Sequence, residues 1–175
     1  MKIPEFCQTL EKALGEQADP EGRLRLVVTA LQQAFKVRDD EVAIFRLDPE
    51  SQDLCFLWPK KLVKSGRVPI TTRDSLLART ARDAKPLLDN RFPNTRHASI
   101  FEKVNLGDPK AKEKAPALPI QKIMSVPMLQ AGQVAGVVQL SRKGLDGDAA
   151  GPDFSPAELE AFAYIVSAVS RHLVV

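Results

Sequence analysis

The chain has 175 residues, 44% of them hydrophobic and 27% charged, with a formal net charge of +3. That length suits one domain with a core that needs neither disulfide nor metal, and so small a charge excess excludes nucleic acid as an expected partner. No run approaches the roughly 18 apolar residues of a membrane span, and the start, MKIPEFCQTLEKAL, lacks the apolar stretch of a secretory signal, so a cytoplasmic location is the expectation.

Two cysteines, Cys7 and Cys55, belong to no CxxC pair and to no cluster with histidine. A structural zinc site and a disulfide framework are both excluded on that count. Both read as small buried hydrophobes.

Residues 3 to 14 place Ile3, Phe6, Cys7, Leu10 and Leu14 at helical spacing, with Gly15 as the expected stop. Residues 1–19 read as a helical extension and 20–175 as the main domain. A second helix starts at Asp19-Pro20, where Asp19 serves as N-cap and Pro20 fits the first turn. Leu24, Val27, Val28, Leu31, Ala34 and Phe35 give it one apolar stripe.

Residues 41 to 48 and 53 to 58 are rich in β-branched and aromatic types and flank the turn Asp48-Pro49-Glu50-Ser51. Residues 62 to 70 predict a weaker strand. Thr71 and Asp74 suggest a capping box for a helix through Leu76, Leu77, Thr80 and Ala81. Lys85-Pro86 ends that helix, and residues 86 to 88 read as a short strand.

Residues 91 to 119 hold Pro93, Pro109, Pro116, Pro119 and Gly107. So long an irregular stretch inside a domain is expected to be a mobile lid or binding loop. Residues 120 to 129 and 133 to 142 predict a hairpin turning at Gly132. The last helix is well specified. Ser155 is its N-cap, Pro156 its first residue, Glu158 the partner in a capping box, and Phe154 a staple onto Leu159. It carries two apolar stripes, Leu159, Phe162, Val166, Val169 and Leu173 on one, and Ala161, Ile165 and Ala168 on the other. Two stripes predict packing on two sides, and a homodimer built on helices is the expectation. Strands interrupted by helices, with a late hairpin, predict an α+β fold on a mainly antiparallel sheet.

Three segments resemble the GAF domain family. KIMSVPMLQAGQVAGVVQLSRK, residues 122 to 143, is similar to the family's late hairpin. SLLARTARDAKPLLDN, residues 75 to 90, is similar to its mid-chain helix and short strand, and FSPAELEAFAYIVSAVS, residues 154 to 170, to its closing helix. At the level of element order the resemblance covers residues 22 to 173. It implies a GAF-like fold of the α+β class: a central antiparallel sheet, N- and C-terminal helices on one face, and on the other a pocket covered by residues 89 to 119. It also implies a regulatory module that binds a small molecule and is not an enzyme.

The residues test the chemical subclasses of that family. Cyclic-nucleotide binders show Asn-Lys, then Phe and Asp-Glu. Here Asn90-Arg91 and Phe101 begin such a pattern, but Asn105-Leu106 stands in place of Asp-Glu. Bilin attachment and methionine sulfoxide reduction both use lid cysteines, and residues 86 to 142 contain none. Haem needs an axial ligand, and only His97 and His172 exist. No cofactor is named by the sequence.

Residues 91 to 122 carry seven basic against three acidic side chains. Such a run is commonly a solvated loop, and its sharper reading is attraction for an anionic ligand, gripped by Arg91 or Arg96. Asn90, Arg91, Arg96, His97, Ser125 and Gly136 are the candidate ligand-binding residues. Gly136 either accommodates close packing or lets a ligand approach the backbone. Val126, Met128, Val138 and Leu140 are the expected apolar floor of the pocket. The alternatives are a dimerising interaction domain with a vestigial pocket and, more remotely, an enzyme like the free methionine sulfoxide reductases.

Overall fold

The structure, a computed structural model, describes residues 2–94 and 118–173. Residues 95–117 of the expected lid, Arg96 and His97 among them, lie outside these residues.

Helix α1 (Ile3–Glu16) buries Cys7, Leu10 and Leu14. Gly15 does not end it. The helix runs one residue further and leaves at Gln17, whose N–H donates to the Ala13 carbonyl at 3.2 Å. Helix α2 (Pro20–Phe35) starts as its sequence predicts, with the Asp19 carboxylate accepting from the N–H groups of Glu21 and Gly22. These bonds satisfy two of the donors that every helix start leaves free.

Strands β1 (Val42–Leu47) and β2 (Asp53–Trp58) pair across a turn in which Asp48 Oδ1 accepts from the Glu50 N–H at 2.9 Å. Of the expected strand over 62 to 70, only β3 (Arg67–Pro69) forms. Helix α3 (Leu76–Asp83) starts later than the Thr71–Asp74 signal suggests. Its cap is Ser75, whose Oγ accepts from the Ala78 N–H at 3.1 Å. Ser75 directly precedes the buried Leu76 and Leu77, whereas Thr72 belongs to a turn whose carbonyl accepts from Arg82 at 2.8 Å. Strand β4 is Leu87–Asp89.

Strands β5 (Ile120–Gln130) and β6 (Gln133–Lys143) form the hairpin. Its turn residues Ala131 and Gly132 both have positive φ, 49° and 77°, the left-handed pair that matches the twist of the flanking strands. Helix α4 (Pro156–Leu173) opens on the expected capping box: the Glu158 N–H donates to Ser155 Oγ at 3.1 Å, and the Ser155 N–H donates to Glu158 Oε2 at 2.7 Å.

All neighbouring strands are antiparallel, in the order β3-β2-β1-β6-β5-β4. Helices α1, α2 and α4 pack on one face, against Val42, Ile44, Met124, Val126, Met128, Val138 and Leu140. Helix α4 packs against β5 and also against α1, and residues of both its stripes join the same core. On the other face α3 lays Leu77, Ala78 and Ala81 over Ala43, Phe45, Leu54, Phe56 and Val137.

This arrangement corrects one expectation. Val126, Met128, Val138 and Leu140 face the helices and not the pocket side. A central strand is apolar on both faces, so Val137 and Val138 look alike in the sequence, and a one-residue error of parity exchanges the faces.

Candidate functional site

The face opposite α1, α2 and α4 carries a small cleft of about 30 Å³. Its floor comes from the central strands: Ala43 of β1, Gln139 and Ser141 of β6, and Ile120 and Ile123 of β5. Asp40 and Glu41, just before β1, form one wall. Pro59, Lys61 and Leu62, after β2, form another.

Most polar groups at the cleft are already committed. The Glu41 carboxylate accepts from the Arg38 and Lys143 backbone N–H groups, both at 2.8 Å, and pairs with the Arg38 guanidinium at 3.0 Å. Lys143 Nζ donates to the Asp40 carbonyl at 2.6 Å. Burial pushes the Lys143 ammonium below the usual lysine range, against the opposing pull of Asp40 and Glu41. Ser141 Oγ donates to the Glu41 carbonyl at 3.3 Å. The ionisable side chains lining the cleft are Lys61 and Lys143 against Asp40 and Glu41, so the described lining shows no excess of either sign.

Gln139 differs from these. It is 2% exposed, and its Nε2 donates to Ser125 Oγ at 3.0 Å. Its Oε1 is buried with no hydrogen-bond partner among the described residues. An amide oxygen left so costs about 1–3 kcal/mol, and such atoms in a native fold call for an explanation. Trp58 Nε1, in the helix-side core, shares that condition. Of the two, only Gln139 lines the cleft.

The candidate residues read from sequence fall in different places. Ser125 is fully buried and sits behind Gln139, bonded to it and to Thr80. Asn90 commits both ends of its amide to Phe154: Nδ2 donates to the carbonyl and Oδ1 accepts from the N–H, each at 2.9 Å. It pins the entry to α4. Arg91 is exposed after β4, where its N–H donates to Asp89 Oδ1 at 2.8 Å, and it does not line the cleft. Gly136 pairs with Met128 and Arg46. A Cβ there would lie 2.1 Å from the Phe45 carbonyl oxygen and 2.5 Å from the Met128 methyl, so the chain's own atoms take the space beside it. Lys122, part of the basic run, is tied to the Gly151 carbonyl at 2.5 Å and to Asp153 at 2.8 Å.

Thus Gln139 and Ser141, which the sequence reading did not single out, line the cleft, whereas Ser125 and Thr80 lie buried behind Gln139 and do not. The available signal was Gln139 itself, a long polar side chain within the apolar run Val137-Val138-Gln139-Leu140. Cys7 is buried in α1 on the other side of the sheet, and Cys55 is in β2, so no thiol lines the cleft. Among the described residues, no group of three or more His, Cys, Asp or Glu side chains is placed to hold a metal ion. No described helix is long and apolar enough to cross a membrane.

Comparison with known proteins adds the following. A family model described as the GAF domain matches residues 19–173. Comparison with curated protein sequences gives no match. Among solved structures, the chain is similar to the GAF domain of a phosphoenolpyruvate-protein phosphotransferase from Acinetobacter, at 14% identity and TM-score 0.71, covering 99% of this chain and 93% of that one. It is similar also to the GAF domain of the corresponding protein from Coxiella burnetii, at 14% identity and TM-score 0.72 with the same coverage. A third is the free methionine-R-sulfoxide reductase from Neisseria meningitidis in complex with its substrate, at 13% identity and TM-score 0.62, covering 98% and 87%. At these identities the likeness shows the fold.

Proposed function

The chain belongs to the GAF domain family, and on that premise we propose that it is a sensory domain binding a small molecule in the cleft over β1, β6 and β5. GAF domains are commonly regulatory, and the output of this one passes to a partner or to a second copy of the chain. The observation that carries the reading is the orphaned Gln139 carbonyl. A fold that leaves a buried acceptor unpaired beside an open cleft has a place for a ligand's hydrogen.

For an anionic group on the ligand, as expected from the basic run, Lys61 offers an exposed cation on the cleft wall among the described residues. A thiol-based reduction has no support in the cleft, since both cysteines lie elsewhere.

A thermal-shift screen of amides, amines, nucleosides and organic acids tests the proposal, run in parallel on wild type and Gln139→Leu. At least one compound is expected to raise the wild-type melting temperature. Loss of one buried hydrogen bond should weaken that compound's binding by about tenfold in the variant. Compounds that stabilise both proteins equally place the site elsewhere. A screen without any stabilising compound favours the interaction-domain reading.

A further inference from the structure

Three polar side chains stand in series beneath the cleft, and only one placement of their protons satisfies every contact. Thr80 Oγ1, fully buried, lies 2.8 Å from the Leu76 carbonyl oxygen and 2.7 Å from Ser125 Oγ. Gln139 completes the series at 3.0 Å from Ser125 Oγ. A carbonyl only accepts, so the single hydroxyl proton of Thr80 goes to Leu76. The 2.7 Å contact then requires the proton of Ser125. Ser125 has no second proton, so its contact with Gln139 must be made by an amide N–H. Turning the amide over would set Oε1 against Ser125 and leave one short oxygen–oxygen contact without any proton. The series therefore runs one way, from Gln139 through Ser125 and Thr80 to Leu76, and it leaves the Gln139 carbonyl as the unpartnered group.

We infer that the cleft selects ligands that bring an N–H or O–H donor to its floor, the edge of an amide, imide or amine. It rejects ligands whose inner edge only accepts, such as a bare carboxylate or phosphate. The inference rests on the reading of the cleft as a binding site and names its chemical class. A donor meets the orphaned oxygen, whereas an acceptor adds a second set of lone pairs and leaves both groups unpaired. Sites built around one buried polar group reject analogues that lack its complement far more strongly than apolar pockets reject a size change. Any anionic portion of the ligand must then point outward, toward Lys61. Thr80 and Ser125 touch no ligand in this scheme. They are positioning residues, and what they position is the choice between C=O and NH₂ at the floor.

The probes are lactams, imides and primary amides, each paired with its N-methylated counterpart, with binding read by saturation-transfer NMR on the whole chain. Wild type is expected to bind the N–H member of a pair about tenfold or more tightly than the N-methyl member. Gln139→Leu should remove the preference. Thr80→Val is the sharper variant. It deletes the acceptor for the Ser125 proton, which is then free to donate to Gln139 Oε1. The amide turns, presents NH₂ to the cleft, and the preference should vanish or reverse toward acceptors. A purely structural role for Thr80 would weaken all probes alike.

A second measurement is independent of any ligand and of how well Thr80→Val folds. In wild type, NOEs should join the Gln139 side-chain amide protons to the Ser125 β protons, the amide being assigned by its absence from the Gln139→Leu spectrum. Lack of those NOEs overturns the orientation, and so does a preference for N-methyl probes. If no probe depends on Gln139 while the NOEs are present, the binding-site reading fails and the selectivity inference falls with it.

Discussion

Gly136→Ala is expected to destabilise the domain by about 3 kcal/mol or more, the upper end of what inserted atoms cost in a packed core. The added Cβ would stand 2.1 Å from the Phe45 carbonyl oxygen and 2.5 Å from the Met128 methyl. Met128 is a flexible side chain and can swing aside. Phe45 cannot, because β1 is held by β2 on one side and by β6 on the other, and relief requires opening the β1–β6 ladder. Gly147→Ala is the control, since nothing lies within 4 Å of the Cβ it would add and its φ is not positive. It should change stability by no more than about 0.5 kcal/mol. Urea unfolding followed by the fluorescence of Trp58, the single tryptophan, measures both. Equal stability of the two variants would show that the close approach at Gly136 is not a constraint.

Asn90→Ala is expected to cost about 2–4 kcal/mol, because it leaves both the N–H and the carbonyl of Phe154 without their partners. Phe154 is 2% exposed, and the Arg142 guanidinium lies over its ring at 4.0 Å, so water does not replace the lost bonds freely. Asn90→Asp separates the two halves of the interaction. It keeps an acceptor for the Phe154 N–H but sets a carboxylate oxygen against the carbonyl. Folding should therefore raise the pKa of the introduced group. With a raised folded-state pKa, the variant regains stability as pH falls through that value and loses it above. Urea unfolding at several pH values checks this. A variant as stable as wild type at neutral pH would return Asn90 to the list of ligand contacts.

Much of the fold is legible because its signals are local. Asp19-Pro20 and the Ser155–Glu158 box lie within four residues of the groups they cap, and both caps form as the sequence predicts. The β5–β6 hairpin is similarly announced by alternating residues around Gly132. The α3 start misleads because Thr71–Asp74 and Ser75 offer competing acceptors, and the choice falls to the one beside buried Leu76 and Leu77. The candidate site is less legible because its contacts are long-range. Asn90 meets Phe154 across 64 residues, and Thr80 meets Ser125 across 45. No periodicity encodes those pairings. Strand parity hides the pocket face in the same way, since Val137 and Val138 are equally apolar and only the placement of α3 distinguishes them. Gln139 is visible as an oddity in β6, yet its meaning depends on where the proton of Ser125 goes.

Native mass spectrometry of the chain purified gently from cells tests the central claim most directly. The account predicts a population heavier than the 19.3 kDa chain by one small molecule, released on denaturation and carrying an N–H or O–H donor, with that population lost in Gln139→Leu. A retained molecule that survives this substitution unchanged would contradict it.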